Sequence, residues 1–333
     1  MERIGLTVGL EGSPLPDALD LCRRAETLGY TDIWSAEVGG ADGFSPLAAL
    51  AATTSSARLG TAIVPVFTRP PALVAMQAAT LQSISGGRFA LGLGTSSDII
   101  INRWMGAGFE TPLTRLEEYI EVVRSSLEGQ KVDFEGKSTS LSGFRLQLDP
   151  GGPVPIYAAA LGPRACRLAG RVADGVIFFL KTPDGVKQAL GWVAEGASEA
   201  GRDPGQLDCV IRLPVAMDED EEVLGLMARR LITSYVTVDV YNRSISTQGF
   251  KTEARDIKDA WRTGDRERAN DLVSDELVDR LLIFGDRDAC REKLRAFRDA
   301  GVKTPVLFPF SVAGDPVERK KRVGALVETL APA

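Results

Sequence analysis

Glu37 follows directly on the apolar run Ile33 to Ala36. A short buried strand ending in a carboxylate is one way an α/β enzyme holds a proton donor at its reacting face, although the same residue reads equally as a solvated loop charge. The chain contains no histidine at all. Ser-His-Asp triads, Cys-His pairs and histidine-based metal sites are therefore excluded, and no metal is expected. Any proton transfer must come from Glu, Asp, Lys, Tyr, Cys or water.

Two glycine-bearing turns could cradle a ligand. In Gly92-Leu93-Gly94-Thr95-Ser96-Ser97 the spacing resembles the start of a dinucleotide fingerprint, but Ser97 replaces the third glycine and no acidic strand end follows about 20 residues on. The same glycines would let flat rings approach the backbone at a strand end, or would serve only a tight turn. In Ala159-Ala160-Leu161-Gly162-Pro163-Arg164, Pro163 suits the first helical position. The amides of Gly162 and Arg164 are then free to meet an anion, unless this is an ordinary helix start. Phe67-Thr68-Arg69-Pro70-Pro71 begins a helix in the same way, with Arg69 either a buried clamp or a surface charge. Aromatic residues at strand ends, namely Phe44, Phe67, Trp104, Phe178, Phe179, Phe308 and Phe310, would line one pocket if the strands converge, and are otherwise core. The acidic run Asp218 to Glu222 is expected to cap a helix and face water.

The elements that must position these residues repeat one phrase: an amphipathic helix, a glycine that ends it, a few polar residues, then a short apolar strand. It recurs at Ala25 to Trp34, Ser83 to Leu93, Leu168 to Phe179, Glu199 to Ile211 and Phe297 to Phe308. Strand starts fall near residues 3, 31, 58, 88, 154, 174, 207 and 304. Eight such units and a final helix from about Asp315 to Leu330 predict a single (βα)8 TIM barrel, an α/β fold, over residues 1–333. Insertions are expected after strand four, at about 95–153 with a helix near Leu113 to Leu127 and a hairpin through Gly136 and Gly143. A second follows strand seven, at about 235–284, charged and helical with little periodic apolar content. Apolar residues at 44% supply enough core to fold without staples, and Cys22, Cys166, Cys209 and Cys290 are too scattered for a zinc or redox motif. They read as buried thiols in a reducing compartment. A net charge of −6 argues against nucleic acid as a partner. Met1 to Leu10 has no secretory-signal pattern, and no run approaches 18 uninterrupted apolar residues, so a cytoplasmic protein without membrane contact is expected.

Four segments, Thr61 to Pro71 (TAIVPVFTRPP), Ser85 to Gly94 (SGGRFALGLG), Pro155 to Val176 (PIYAAALGPRACRLAGRVADGV) and Asp275 to Val302 (DELVDRLLIFGDRDACREKLRAFRDAGV), resemble in order the luciferase-like monooxygenase superfamily. The chain is most similar to its deazaflavin-dependent branch, which includes methylenetetrahydromethanopterin reductase. The resemblance implies a homodimeric barrel binding coenzyme F420, or alternatively FMN, at its C-terminal face. Matched by position, Ala62, Ile63 and Val64 with Gly94, Thr95, Ser96 and Ser97 would border the ring system, and Ala159, Ala160, Leu161, Gly162, Pro163 and Arg164 would hold the phosphate. A non-proline cis peptide is implied at Ala62-Ile63. Phe44, Phe67, Trp104, Phe179 and Phe308 would surround a small-molecule substrate. Glu37 would supply or position the proton that accompanies hydride transfer to a C=C, C=N or C=O bond, helped by burial beside Phe44 and Phe67. Many relatives carry Asp-His after strand two where this chain has Glu37-Val38, so the substrate and mechanism of the sugar-phosphate dehydrogenases in the family do not transfer. The other implied functions are an FMN-dependent monooxygenase and a cofactor-binding protein without turnover.

Overall fold

The computed structural model describes residues 2–9 and 14–332; Met1 and Leu10, which bound the leading segment, lie outside the described residues. Eight parallel strands close on themselves: β1 (Gly5–Thr7), β2 (Asp32–Ser35), β3 (Arg58–Thr61), β4 (Phe89–Gly94), β5 (Ile156–Ala159), β6 (Gly175–Phe179), β7 (Asp208–Met217) and β8 (Thr304–Pro309). Each pairs with the next, and β8 pairs back onto β1 through Gly5 with Val306. This is the (βα)8 barrel, with insertions after strands four and seven.

Side chains alternate across each strand and sort into two cores. Leu6, Ile33, Leu59, Leu91, Phe178, Ile211 and Leu307 face the surrounding helices. Trp34, Ala62, Ala90, Tyr157, Ile177, Val210 and Val306 fill the barrel interior. At the strand starts Arg58 joins this interior to a polar network: it pairs with Asp32, donates to Asp208 Oδ2 at 2.9 Å and to Thr304 Oγ1 at 3.2 Å. That end carries stability rather than chemistry in barrels.

The helices are α1 (Leu15–Thr27), α2 (Ser45–Ala51), α3 (Pro71–Ile84), α4 (Pro112–Leu127), α5 (Pro163–Val172) and α6 (Pro183–Glu199), all with a proline in the first two positions. Proline there has a preset φ and loses no intrahelical bond. Gly29, at φ 93°, follows α1 as the repeated phrase predicts. The phrase misleads at Leu168 to Phe179. Gly170 lies inside α5, where a Cβ would come within 2.0 Å of the Val193 carbonyl oxygen, and a Cβ at Gly196 would come as close to that of Arg167. These glycines let α5 and α6 touch backbone to backbone.

After β4 come a π-helical turn (Ile99–Trp104), α4 and an antiparallel hairpin of Lys131–Glu135 with Ser140–Arg145. After β7 come α7 (Glu221–Val236), α8 (Asp239–Ile245), α9 (Lys251–Arg262), α10 (Arg266–Asp271), α11 (Asp275–Leu281), a short strand Ile283–Gly285 and α12 (Arg287–Asp299). Contrary to the expectation of little apolar periodicity, Ile232, Val236, Ile245, Phe250, Ala254, Ile257, Leu277 and Leu281 form a core of their own. Several of these helices have only 6 or 7 residues, too short for a repeating pattern to register. Asp220 caps α7 by accepting from Val223 N at 2.9 Å, but Glu219 in the same acidic run does not face water: its side chain is 1% exposed and pairs with Arg322. α13 (Pro316–Thr329) follows β8 and packs against β7, β8 and α1. All four cysteines are buried and unpaired, with burial pushing Cys22 up to about 12 and Cys166 to about 11. Among the described residues no helix is long and apolar enough to cross a membrane.

Candidate active site

At the C-terminal ends of the strands, β3 runs through the cis peptide Ala62-Ile63 into a short strand, Val64–Pro65, that pairs beside the end of β4. The cis bond falls where the sequence places it. This path brings Ile63 against β4: a Cβ at Gly94 would lie 3.0 Å from Ile63 Cγ1 and 3.0 Å from Ala159 Cβ. Three residues from three separated segments thus pack closely together, with little room for a side chain at Gly94. Val66 N donates to the Gly94 carbonyl at 3.0 Å, and Thr61 Oγ1 bridges the amide and carbonyl of Gly92 at 2.8 Å each, which fixes the strand ends. Thr95 and Ser96 are half-buried beyond Gly94, Ser97 is buried, and Ser96 takes a left-handed backbone at φ 58°.

Glu37 adjoins the same surface, because its amide donates to the Ile63 carbonyl at 3.2 Å. Its carboxylate is clamped by Arg69, Nη1 to Oε1 at 2.6 Å and Nη2 to Oε2 at 2.8 Å, and Oε2 also accepts from Gly43 N at 2.9 Å. Arg69 is therefore a partly buried clamp, and the Glu37 hydrogen bond and charge raise its already high pKa. Phe44 lies under the Arg69 guanidinium, whose central carbon is 5.4 Å from the ring centre. A cavity of about 460 Å³ opens over this pair, lined by the Glu37 to Asp42 loop, Thr68, Arg69 and Met105.

On the other side of the floor, Ala160 is buried, Leu161, Gly162 and Pro163 are partly buried, and Arg164 is exposed. Gly162 is the residue before α5, Pro163 is in its first turn, and no side chain caps the helix. A Cβ at Gly162 would meet nothing within 4 Å. The start of α5 is thus open and without a side-chain cap, the arrangement in which helix N-termini can receive an anion. Lys181, which the sequence analysis missed, reaches the same loop: it is 1% exposed, and its Nζ donates to the Leu161 carbonyl at 2.9 Å and to Ser244 Oγ at 3.3 Å. Burial holds its ammonium below the usual lysine range.

The strand-end aromatics do not converge on one pocket. Phe178 points outward into the sheet–helix core, as alternation requires, while Phe179 points the other way. Phe44 packs near Phe89, and Phe67 near Phe109 and Arg115. Phe179 and Phe308 both face the guanidinium of Arg212 at 5.5 and 5.1 Å. Trp104 is 61% exposed at the mouth of the cavity beside Gly39. Arg212 was also missed, although a single charge inside the apolar run Cys209 to Ala216 was the available signal.

The close-packed strand ends at Ile63, Gly94 and Ala159 and the uncapped start of α5 are the residues that could hold an extended flavin-like cofactor. Comparison with known proteins agrees. The chain is 31% identical over 322 residues to 5,10-methylenetetrahydromethanopterin reductase of Methanolobus tindarius, covering 95% of this chain and 96% of that one. It is 31% identical over 265 residues to F420-dependent glucose-6-phosphate dehydrogenase of Nocardia farcinica, covering 77% and 74%. The solved structure of coenzyme F420-dependent tetrahydromethanopterin reductase from Methanopyrus kandleri superposes with a TM-score of 0.80 at 25% identity, covering 99% of this chain and 98% of that one. The family model for luciferase-like monooxygenases matches residues 2–304, and this chain belongs to that family.

Proposed function

We propose that this protein is an oxidoreductase that uses coenzyme F420 to move a hydride to or from an organic substrate with a C=C, C=N or C=O bond, working as a cytoplasmic homodimer. The observation that carries the reading is the floor of Ile63, Gly94 and Ala159, with Glu37 on one side and the uncapped start of α5 on the other. The relatives whose names include F420 support the choice of cofactor. When bound, the deazaflavin supplies or accepts the hydride.

The chain's own residues do the rest. Ala62 to Val64 and Gly94 to Ser97 border the rings, and Ala159 to Arg164 receive the phosphate through the amides of Gly162 and Arg164. Glu37 holds or positions the proton. Its Oε1 has one partner, Arg69, whereas Oε2 has two, so Oε1 is the oxygen at which a proton is exchanged once that single bond opens. Phe179 and Phe308 with the cavity residues near Trp104 surround the substrate, and Phe44 and Phe67 support this wall from behind.

Titration with F420 and with FMN tests the cofactor. F420 is expected to bind in preference to FMN, and tight FMN binding with no F420 binding overturns the reading in favour of a monooxygenase. F420 binding without turnover across carbonyl, imine and enoyl substrates would leave a cofactor-binding protein. Sedimentation should give about twice the 35.7 kDa chain mass.

A further inference from the structure

Arg212 is a partly buried cation in the barrel mouth. It sits on β7, two residues beyond Val210 and on the same inward face. Among the described residues no carboxylate pairs with it. Among the described residues, one of its five N–H donors is used, Nη1 to the Ala62 carbonyl at a long 3.4 Å, while Nε is buried with no partner. Rings close the remaining sides. Phe179 and Phe308 face the guanidinium, and Tyr235 and Tyr241 from α7 and α8 pack on Phe179 at 5.1 and 6.4 Å. Burial lowers the Arg212 pKa, but a guanidinium stays charged even so.

A partly buried guanidinium with a buried, unpaired Nε is completed best by an anion, and arginine's planar fork matches a two-oxygen acceptor best. The contact with Ala62 places this fork at the segment that borders the proposed ring site. We infer that Arg212 anchors the substrate by an oxyanion, a carboxylate or phosphoryl group received on Nε and Nη2. The aromatic rings then enclose a flat organic body whose reducible bond lies toward the Ile63–Gly94–Ala159 floor. This inference rests on the hydride-transfer reading above for the identity of its ligand as a substrate; the anion site itself does not depend on it.

The test uses benzoate, phenyl phosphate and neutral benzamide as probes, titrated calorimetrically into the intact protein with and without F420. At least one anion should bind about tenfold or more tightly than benzamide, the range expected of a charge-assisted pair. The better anion names the class. Arg212→Gln should abolish the preference while changing benzamide and F420 affinity by less than about threefold, and Arg212→Lys should retain part of it. Equal binding of all three probes to the wild type overturns the proposal, as does a Gln variant that keeps the preference. Should the Gln variant not fold, the wild-type comparison and the Lys variant still decide. Failure of F420 to bind, with the anion preference intact, would sink the cofactor reading alone.

Discussion

The Glu37–Arg69 pair and the Arg58 network show how differently two partly buried ion pairs serve one barrel. At the reacting end, Glu37→Gln keeps shape but gives up the proton and the charge. Turnover should fall about 10²- to 10⁴-fold with F420 affinity little changed, measured by single-turnover oxidation of reduced F420 with an accepted substrate. Turnover within about threefold, with an unchanged pH profile, would make Glu37 a binding residue only. At the opposite end, burial would raise the Asp208 carboxyl, but the Arg58 charge and the hydrogen bonds from Tyr157 and Arg58 outweigh it and hold the group below the ordinary aspartate value. A carboxylate lowered in the folded state contributes stability that is complete above the unfolded pKa of about 3.9 and lost as pH falls through the folded value. Melting temperature should therefore drop more steeply below about pH 4 in the wild type than in Asp208→Asn. Parallel pH curves would show that the network adds nothing through Asp208. Arg58→Met, which strands the fully buried Asp32, should cost about 3–5 kcal/mol.

At the scale of elements, the strand ends are built around missing side chains. A Cβ at Gly92 would fall 1.8 Å from the Thr61 carbonyl oxygen and 2.6 Å from Ile177 Cδ1, so β3 and β4 can bond here only through glycine. Gly92→Ala should destabilise by at least about 1–3 kcal/mol in urea unfolding, whereas Gly162→Ala, which faces open space, should stay within about 0.5 kcal/mol. Equal effects would remove the basis for treating Gly92 as a packing constraint. The start of α5 carries a ligand prediction instead. With F420 bound, the phosphate should lie within hydrogen-bond distance of the Gly162 and Arg164 amides, and a crystal structure placing it beyond about 6 Å would contradict the assignment.

The molecule as a whole joins a barrel to a helical insertion with its own core, and the join is polar as well as apolar. Lys181 ties the Leu161 carbonyl to Ser244, and Gln248 accepts from Thr182 N at 2.8 Å and donates to the Leu180 carbonyl at 3.3 Å. These bonds fix the α5 loop relative to the helices that carry Tyr235 and Tyr241. Lys181→Met leaves the Leu161 carbonyl with only the long 3.4 Å bond from Ser244 Oγ and should cost about 1–3 kcal/mol, with faster limited proteolysis within residues 221–281. An unchanged proteolysis rate would mean that apolar packing alone holds the insertion.

The sequence by itself determined the barrel. Helix-to-strand phrases, prolines that open helices and small residues at strand ends are local signals, and except at Gly170, which lies inside α5, they survive into the structure because backbone conformation and strand alternation are local constraints. Position matching also located the cis peptide at Ala62-Ile63. Only the tertiary structure decided what faces what. Glu37 meets Arg69 across 32 residues, and Phe178 and Phe179 part to opposite sides of one strand. Arg212 finds itself between rings from β6 and β8 with no carboxylate among the described residues. The insertion core was hidden because its apolar residues are spread over helices too short to show a period. Pairing of charges and convergence of distant side chains depend on barrel closure, which brings β7 opposite β3, and no window of neighbouring residues contains that information.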